Sequence, residues 1–400
     1  MSSLFANVEM APRDPILGLT EAFNADTRAT KVNLGVGVYQ DANGKLPLLG
    51  AVKTAEKARV EAAPARGYQP IEGAAAYNQA VQKLLFGAGS PIIADGRCIT
   101  IEALGGTGAL KIGADYLRRL LPQAQLYISD PSWENHRAVF ETAGFTVGTY
   151  PYYDPETKGV AFDKMKACLN SLAANSIVLL HACCHNPTGA DLTAAQWKEI
   201  VSIVKSKALV PFLDMAYQGF AEGIEEDAIA VKLFAESGLP FLIASSFSKS
   251  FSLYGERVGS LTIVTTSKDE SARVLSQVKR TVRTNYSNPP THGGALVAAI
   301  LASPELRKQW EDELAEMRDR IRAMRTGLVE KLKAAGVQRD YSFVIQQRGM
   351  FSYTGLSSAQ VDRLREEFGI YAVATGRICL AALNEKNLDY VAKAIAAVEQ

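Results

Sequence analysis

Lys249 has more potential chemistry gathered around it than any other residue in this sequence. It sits in Ser245-Ser246-Phe247-Ser248-Lys249-Ser250, with Arg257 eight positions on. The apolar run Leu239–Ala244 leads into this segment, so the lysine is expected at the carboxyl edge of a buried strand, where open α/β sheets bind ligands. An amine, small hydroxyls and a cation together suit a phosphorylated aldehyde held as a Schiff base. A solvated surface lysine is the plain alternative.

Asp214 ends a second apolar run, Leu209-Val210-Pro211-Phe212-Leu213, and should emerge at the same edge, with Tyr217 three residues further. Taken alone, such an aspartate reads more readily as an ordinary helix N-cap. Gly105-Gly106-Thr107-Gly108-Ala109-Leu110 follows the strand-like stretch Cys98–Leu104 and opens a helical pattern through Leu117. Free N–H groups at a helix start bind phosphate. The Rossmann spacing G-x-G-x-x-G is matched neither there nor at Gly35-Val36-Gly37, and the P-loop Lys-Ser/Thr is absent, so a tight turn serves as well. Asn186 precedes Pro187 and is therefore pushed toward an extended backbone, which aims its amide from a strand end. Arg283 and Arg377 would each suit a carboxylate, and the pair would suit a dicarboxylic acid. His181, Cys183, Cys184 and His185 are all metal-ligating types, but adjacent cysteines do not easily turn both thiolates to one tetrahedral centre. Cys98, Cys168 and Cys379 are isolated, so no metal is expected, and Cys184 as a nucleophile is an equally weak reading.

The elements that must position these residues can be read from pattern. Leu126–Ser129, Ser176–His181, Leu209–Leu213, Leu239–Ala244 and Ser260–Val264 are short apolar runs, several without polar alternation, which marks strands buried on both faces of a mostly parallel sheet. Thr193–Lys205 and Glu226–Ser237 have helical spacing between them, giving a three-layer α/β unit. Ser303-Pro304-Glu305 carries a helix start signal. Beyond it Leu306, Trp310, Leu314, Met317, Ile321, Met324, Leu328 and Leu332 recur at steps of three and four up to Gly336. One helix of about 30 residues, roughly 45 Å long, is predicted. After it, Phe343–Ile345, Met350–Thr354 and Arg377–Ala381 read as strands, and Ala359–Phe368 and Lys386–Val398 as helices of a smaller α+β unit. The expected division is a large unit at 46–315 and a small one built from 1–45 together with 316–400.

The chain has 400 residues with 43 Lys plus Arg against 42 Asp plus Glu, a net charge of +1. That balance offers no general attraction to nucleic acid or an anionic membrane, so local charge must carry any ligand argument. No apolar run approaches the ~18 residues of a membrane span. Glu9, Arg13 and Asp14 interrupt what a secretory signal would need as an apolar core. Five cysteines, an odd count with two adjacent, argue against a disulfide framework and fit a reducing cytoplasm.

Several of these segments together resemble the class I aminotransferases that use pyridoxal 5′-phosphate. They are Ser246-Phe247-Ser248-Lys249-Ser250-Phe251-Ser252-Leu253-Tyr254-Gly255-Glu256-Arg257-Val258-Gly259, Asn186-Pro187-Thr188-Gly189 and Asp214-Met215-Ala216-Tyr217, in fixed order. The similarity runs from Asn33-Leu34-Gly35-Val36-Gly37-Val38-Tyr39 to Gly376-Arg377. Pro131-Ser132-Trp133-Glu134-Asn135-His136 and Leu364–Tyr371 resemble the bacterial aromatic-amino-acid (tyrosine) branch, near aspartate aminotransferase.

The resemblance implies a fold-type I enzyme and a role for each matching position. Lys249 would bind the cofactor covalently and shuttle the proton at the substrate α-carbon, Asp214 would keep the pyridine nitrogen protonated, and Tyr217 and Asn186 would hydrogen-bond the ring phenolate. Trp133 would stack on the ring, with His136 beside it. Gly106, Thr107, Ser246, Ser248 and Arg257 would hold the phosphate, joined by Tyr68 of the neighbouring subunit in a homodimer with shared sites. Arg377 would take the α-carboxylate, and Arg283 from the neighbour the distal one, with Gly37 on the substrate side. Phenylalanine, tyrosine or aspartate would exchange amino groups with 2-oxoglutarate. The alternatives are an aspartate aminotransferase with little aromatic activity, a pyridoxal-phosphate enzyme of another reaction class, and a non-enzymatic α/β binding protein.

Overall fold

In a computed structural model, which describes residues 3–400, the long apolar runs form one seven-stranded sheet. Its strands are β1 (Cys98–Leu104), β2 (Leu126–Asp130), β3 (Val147–Pro151), β4 (Ile177–His181), β5 (Val210–Met215), β6 (Phe241–Ser246) and β7 (Val258–Val264). Their order across the sheet is β1-β7-β6-β5-β4-β2-β3. Only β7 runs against its neighbours, β1 and β6, while the other pairs are parallel. β4, β6 and β7 are buried at every position, which explains the absence of alternation in their sequences.

The helices between strands start where the sequence supplies caps. Thr193 forms a reciprocal capping box with Gln196 and opens the helix Ala194–Ser206. Ser303 Oγ accepts from the Leu306 amide at 3.2 Å, with Pro304 in the first turn, and opens the helix Pro304–Ala334. Of its apolar stripe, Trp310, Leu314, Met317, Ile321, Met324, Leu328 and Leu332 are buried, whereas Leu306 is half-buried at the end. This helix crosses position 315 without a break, so a boundary there falls inside one continuous element.

The N-terminal segment meets the C-terminal one. Val32–Asn33 pairs in parallel with Ile370–Tyr371, and the Cys379 amide donates to the Leu34 carbonyl at 2.8 Å. Phe351–Tyr353 pairs with Arg377–Cys379. These links carry Gly35–Gly37 to Arg377, across more than 300 residues of chain.

Several element readings need correction; the strand read over Arg377–Ala381, for one, ends at Cys379, where the 3-10 turn Leu380–Ala382 begins. Phe343–Ile345 is not a strand but the start of the short helix Phe343–Gln346, because three apolar residues contain too little periodicity to separate the two states. β3 has no counterpart in the pattern reading; it is an edge strand containing Gly148 and Pro151, both poor strand formers. The helix predicted from Glu226 begins at Ile229, since the Asp227 carboxylate instead accepts from the amides of Gly219, Ala221 and Glu222 and closes a turn. Among the described residues, no helix is long and apolar enough to cross a membrane.

Candidate active site

The carboxyl ends of the central strands empty into one cavity of about 310 Å³. Asp214 lies beside His181 of β4 and Ala244 of β6 in the strand register. β6 then turns at Ser246 and delivers Lys249 opposite Tyr217, its Nζ 4.9 Å from the ring centroid.

One end of the cavity is built for an anion. Gly105 opens the helix Gly105–Leu120 with φ of +69°, and a Cβ there would lie 2.6 Å from Arg257 Nη2. Glycine is thus what lets the guanidinium lie against the helix start. Gly106, Thr107, Ser246, Ser248 and Arg257 all face the cavity at this end. Arg257 Nη1 donates to the Tyr254 carbonyl at 3.0 Å and to Ser248 Oγ at 3.4 Å. Among the described residues it has no carboxylate partner within salt-bridge distance. A free guanidinium, three hydroxyls and helix N-terminal amides form a donor set suited to phosphate.

The middle of the cavity holds opposed charges. Asp214 Oδ2 accepts from His136 Nε2 at 2.8 Å, and Ser132 Oγ lies 2.9 Å from His136 Nδ1. Burial pushes the Asp214 carboxyl up, but the His136 hydrogen bond and the nearby Lys249 amine outweigh it, leaving the pKa below the ordinary carboxylate value. His181, packed behind, is driven by burial down to about 3 and is neutral. Asp214 therefore presents a negative charge toward the cavity. Trp133 stands at the wall, perpendicular to His136 with ring centroids 5.1 Å apart.

Burial lowers the Lys249 pKa to about 8; Asp214 opposes the shift and Arg257 adds to it. A depressed lysine is charged below that value and a free amine above it. In protein whose Lys249 amine is free, its labelling by an amine-acylating reagent should therefore rise about tenfold per pH unit up to about 8 and then level off, rather than climbing to the usual lysine range. Peptide mapping across the pH series checks this.

The far end of the cavity is a second cationic site. Arg377 is 1% exposed. Its Nη1 donates to Asn186 Oδ1 at 3.0 Å, its Nη2 to the Gly35 carbonyl at 2.5 Å, and its guanidinium sits 4.3 Å from the Phe351 ring centroid. Nε has no partner. Gly37 abuts the same ring, where a Cβ would come within 2.6 Å of Phe351 Cζ.

Twelve sequence-singled residues thus line one cavity, while Tyr68 and Arg283 do not. Tyr68 is 96% exposed, and Arg283, exposed in the last turn of Lys268–Asn285, donates to Ser287 Oγ. His136, read as lying beside the cofactor ring, touches Asp214 directly. Phe351 and Tyr254 also line the cavity and were assigned no role from sequence. Tyr254 lies within the Ser246–Gly259 run, which could have flagged it, whereas nothing local marks Phe351. Cys183, Cys184 and Asp227 lie close together and buried, away from the cavity lining.

The family model for aminotransferase class I and II matches residues 29–395. The chain belongs to that family. It is thus an aminotransferase, and several relatives cover its full length. The aspartate aminotransferase of Pseudomonas aeruginosa is 66% identical over 99% of this chain and 100% of its own. The aromatic-amino-acid aminotransferase of Escherichia coli is 53% identical over 99% and 100%. A crystal structure of the aromatic-amino-acid aminotransferase of Burkholderia pseudomallei, covalently bound to pyridoxal phosphate, superposes with a TM-score of 0.98 at 71% identity, covering 100% of both chains. Aminotransferases bearing both substrate names are therefore similar to this chain throughout.

Proposed function

We propose that this aminotransferase binds pyridoxal 5′-phosphate and exchanges amino groups between phenylalanine, tyrosine or aspartate and 2-oxoglutarate. The observation that carries this reading is the placement of a depressed lysine between two cationic ends of one cavity, one with phosphate donors and one with a buried arginine. The residues fit the cofactor: Arg257 is an unpaired cation beside a helix start, and the Asp214 anion is held by His136. When bound, the cofactor carries the amino group and acts as an electron sink. Asp214 supplies the negative charge that keeps a proton on a ring nitrogen, Tyr217 and Asn186 offer polar groups to the ring oxygen, and Trp133 covers a ring face. Arg377, fixed by Asn186, Gly35 and Phe351, holds the α-carboxylate in one plane, which leaves the Cα–H bond, rather than the carboxylate bond, perpendicular and breakable. Lys249 Nζ accepts that proton and returns it on the other side of the reaction. A decarboxylating enzyme would need the opposite alignment. In the test, aspartate or phenylalanine alone should bleach the visible absorbance of the purified protein, and 2-oxoglutarate should restore it; a colourless protein unaffected by either acid refutes the reading.

We further propose a cytoplasmic homodimer in which Tyr68 completes the partner's phosphate site and Arg283 its substrate end. Leu4, Phe5, Val8 and Met10 project with Tyr68 into solvent in one chain, apolar surface that a second copy would cover. The five cysteines are free, in keeping with a reducing compartment. Residues 46–315 would carry the cofactor, with 1–45 and 316–400 forming the smaller unit. Mixing inactive Lys249→Ala with an inactive Tyr68→Ala/Arg283→Ala double variant should regenerate activity in hybrid dimers, toward about a quarter of wild type if one good site in two forms in half the dimers. Full activity in a sedimenting monomer excludes shared sites.

A further inference from the structure

Arg325 lies in the C-terminal half of the helix Pro304–Ala334 and is 2% exposed. It has no carboxylate partner among the described residues. Instead its Nη1 donates to the Val344 carbonyl at 2.8 Å, and its Nη2 donates to the carbonyls of Gly349 and Phe351, each at 2.7 Å. Burying an arginine against carbonyls alone is costly, so much that burial pulls its pKa down to about 10. The three carbonyls all belong to the segment 344–351, which the single guanidinium gathers into one compact turn.

That turn ends at the substrate end of the cavity. Phe351 is the ring under Arg377, stands edge-on to Tyr217 with centroids 5.9 Å apart, and abuts Gly37. The same segment presses on the Asn186 turn: the Arg348 amide donates to the Gly189 carbonyl at 2.8 Å, and a Cβ on Gly189 would meet the Phe351 carbonyl at 2.6 Å. Gly349, at φ of +76°, packs so closely on Cys184 that a Cβ would lie 2.5 Å from Cys184 Cβ. Two of the three supports of the Arg377 guanidinium, the Asn186 amide and the Phe351 ring, are thus set by the segment that Arg325 holds; the third is the Gly35 carbonyl.

We propose that Arg325 is a positioning residue for substrate carboxylate binding, acting through Phe351 and the Asn186 turn to fix the pose of Arg377. The inference rests on the reading of Arg377 as the α-carboxylate anchor. Because that carboxylate is common to every substrate, loss of Arg325 weakens aromatic and dicarboxylic acids alike. The phosphate donors lie at the opposite end of the cavity, so cofactor affinity changes far less than substrate affinity.

Arg325→Gln should raise KM for aspartate and for phenylalanine by a similar factor, on the order of tenfold, with kcat falling much less. Arg325→Lys, which keeps one donor head but not the fork, should recover part of the loss. Binding of two unreactive probes, succinate and 3-phenylpropionate, to the holoenzyme should weaken in parallel. Should the buried substitutions fail to fold, Phe351→Leu tests the same linkage from the cavity side and should give the same side-chain-independent rise in KM. If Arg325→Gln lowers only the melting temperature and leaves KM and both probe affinities at wild-type values, the proposal is overturned. Arg377→Lys, measured in parallel, separates the two readings: unchanged KM there refutes the carboxylate anchor itself, whereas a raised KM with no effect at Arg325 and Phe351 refutes only the positioning role.

Discussion

Lys249→Ala should leave a folded protein that transaminates at least about 10⁴-fold more slowly than wild type, because one substitution removes both the covalent anchor of the cofactor and the base that moves the α-proton. The fold should tolerate the change. Among the described residues Lys249 has no carboxylate within salt-bridge distance, and its burial already disfavours the charged form, so the truncation breaks no ion pair there. The cofactor should still bind through Arg257, Ser246, Ser248 and the helix start, but reversibly. Borohydride treatment followed by peptide mapping should mark Lys249 in the wild type and no lysine in the variant. A label on another lysine, or retention of more than a few per cent of activity by Lys249→Ala, would overturn the assignment.

Arg283→Leu should lower kcat/KM for aspartate by about 10² or more while changing phenylalanine far less, the scale of losing a charge-assisted pair at ~3 kcal/mol. Within one chain Arg283 is exposed and turned to Ser287, so it is free to reach a partner's cavity on the proposed shared-site arrangement. A distal carboxylate would pair with it. An aromatic ring would require the guanidinium to stay solvated, since burying it unpaired costs several kcal/mol. Because 2-oxoglutarate is itself dicarboxylic, the comparison belongs in single-turnover half-reactions with each amino acid alone. Equal losses for both amino acids would remove Arg283 from side-chain recognition. A wild-type protein that processes aspartate well and phenylalanine hardly at all would make it a plain aspartate aminotransferase.

The chemistry was legible in the sequence where function is local. Lys249 follows a strand that is apolar throughout, and Asp214 ends another; strands buried on both faces leave no choice but to expose polar residues at their ends. Gly105–Thr107 advertise a helix start because glycine, a small hydroxyl and a following apolar stripe occur together. The long helix was readable because a stripe repeated over 31 residues admits no competing period. Short segments were not readable in this way. Phe343–Gln346 has too few residues for a period, and its state follows from what packs against it, such as the Arg325 guanidinium on the Val344 carbonyl, while the edge strand β3 carries Gly148 and Pro151, both poor strand formers.

By itself, then, the sequence determined which strands are buried, where their polar ends lie, and through the order of its motifs the family to which the chain belongs. Tertiary structure alone decided the company those ends keep. His136 meets Asp214 because β5 and the helix after β2 converge at the middle of the sheet, although the residues are 78 apart in the chain. Gly35 and Arg377 meet, 342 residues apart, only because Val32–Asn33 adds to Ile370–Tyr371. Phe351 and Arg325 have no sequence signature, since an aromatic ring under a guanidinium and a guanidinium among carbonyls are read by neighbours in space. Local propensity acts within a few residues, whereas a binding site is assembled by burial, which brings together whichever distant segments share a core.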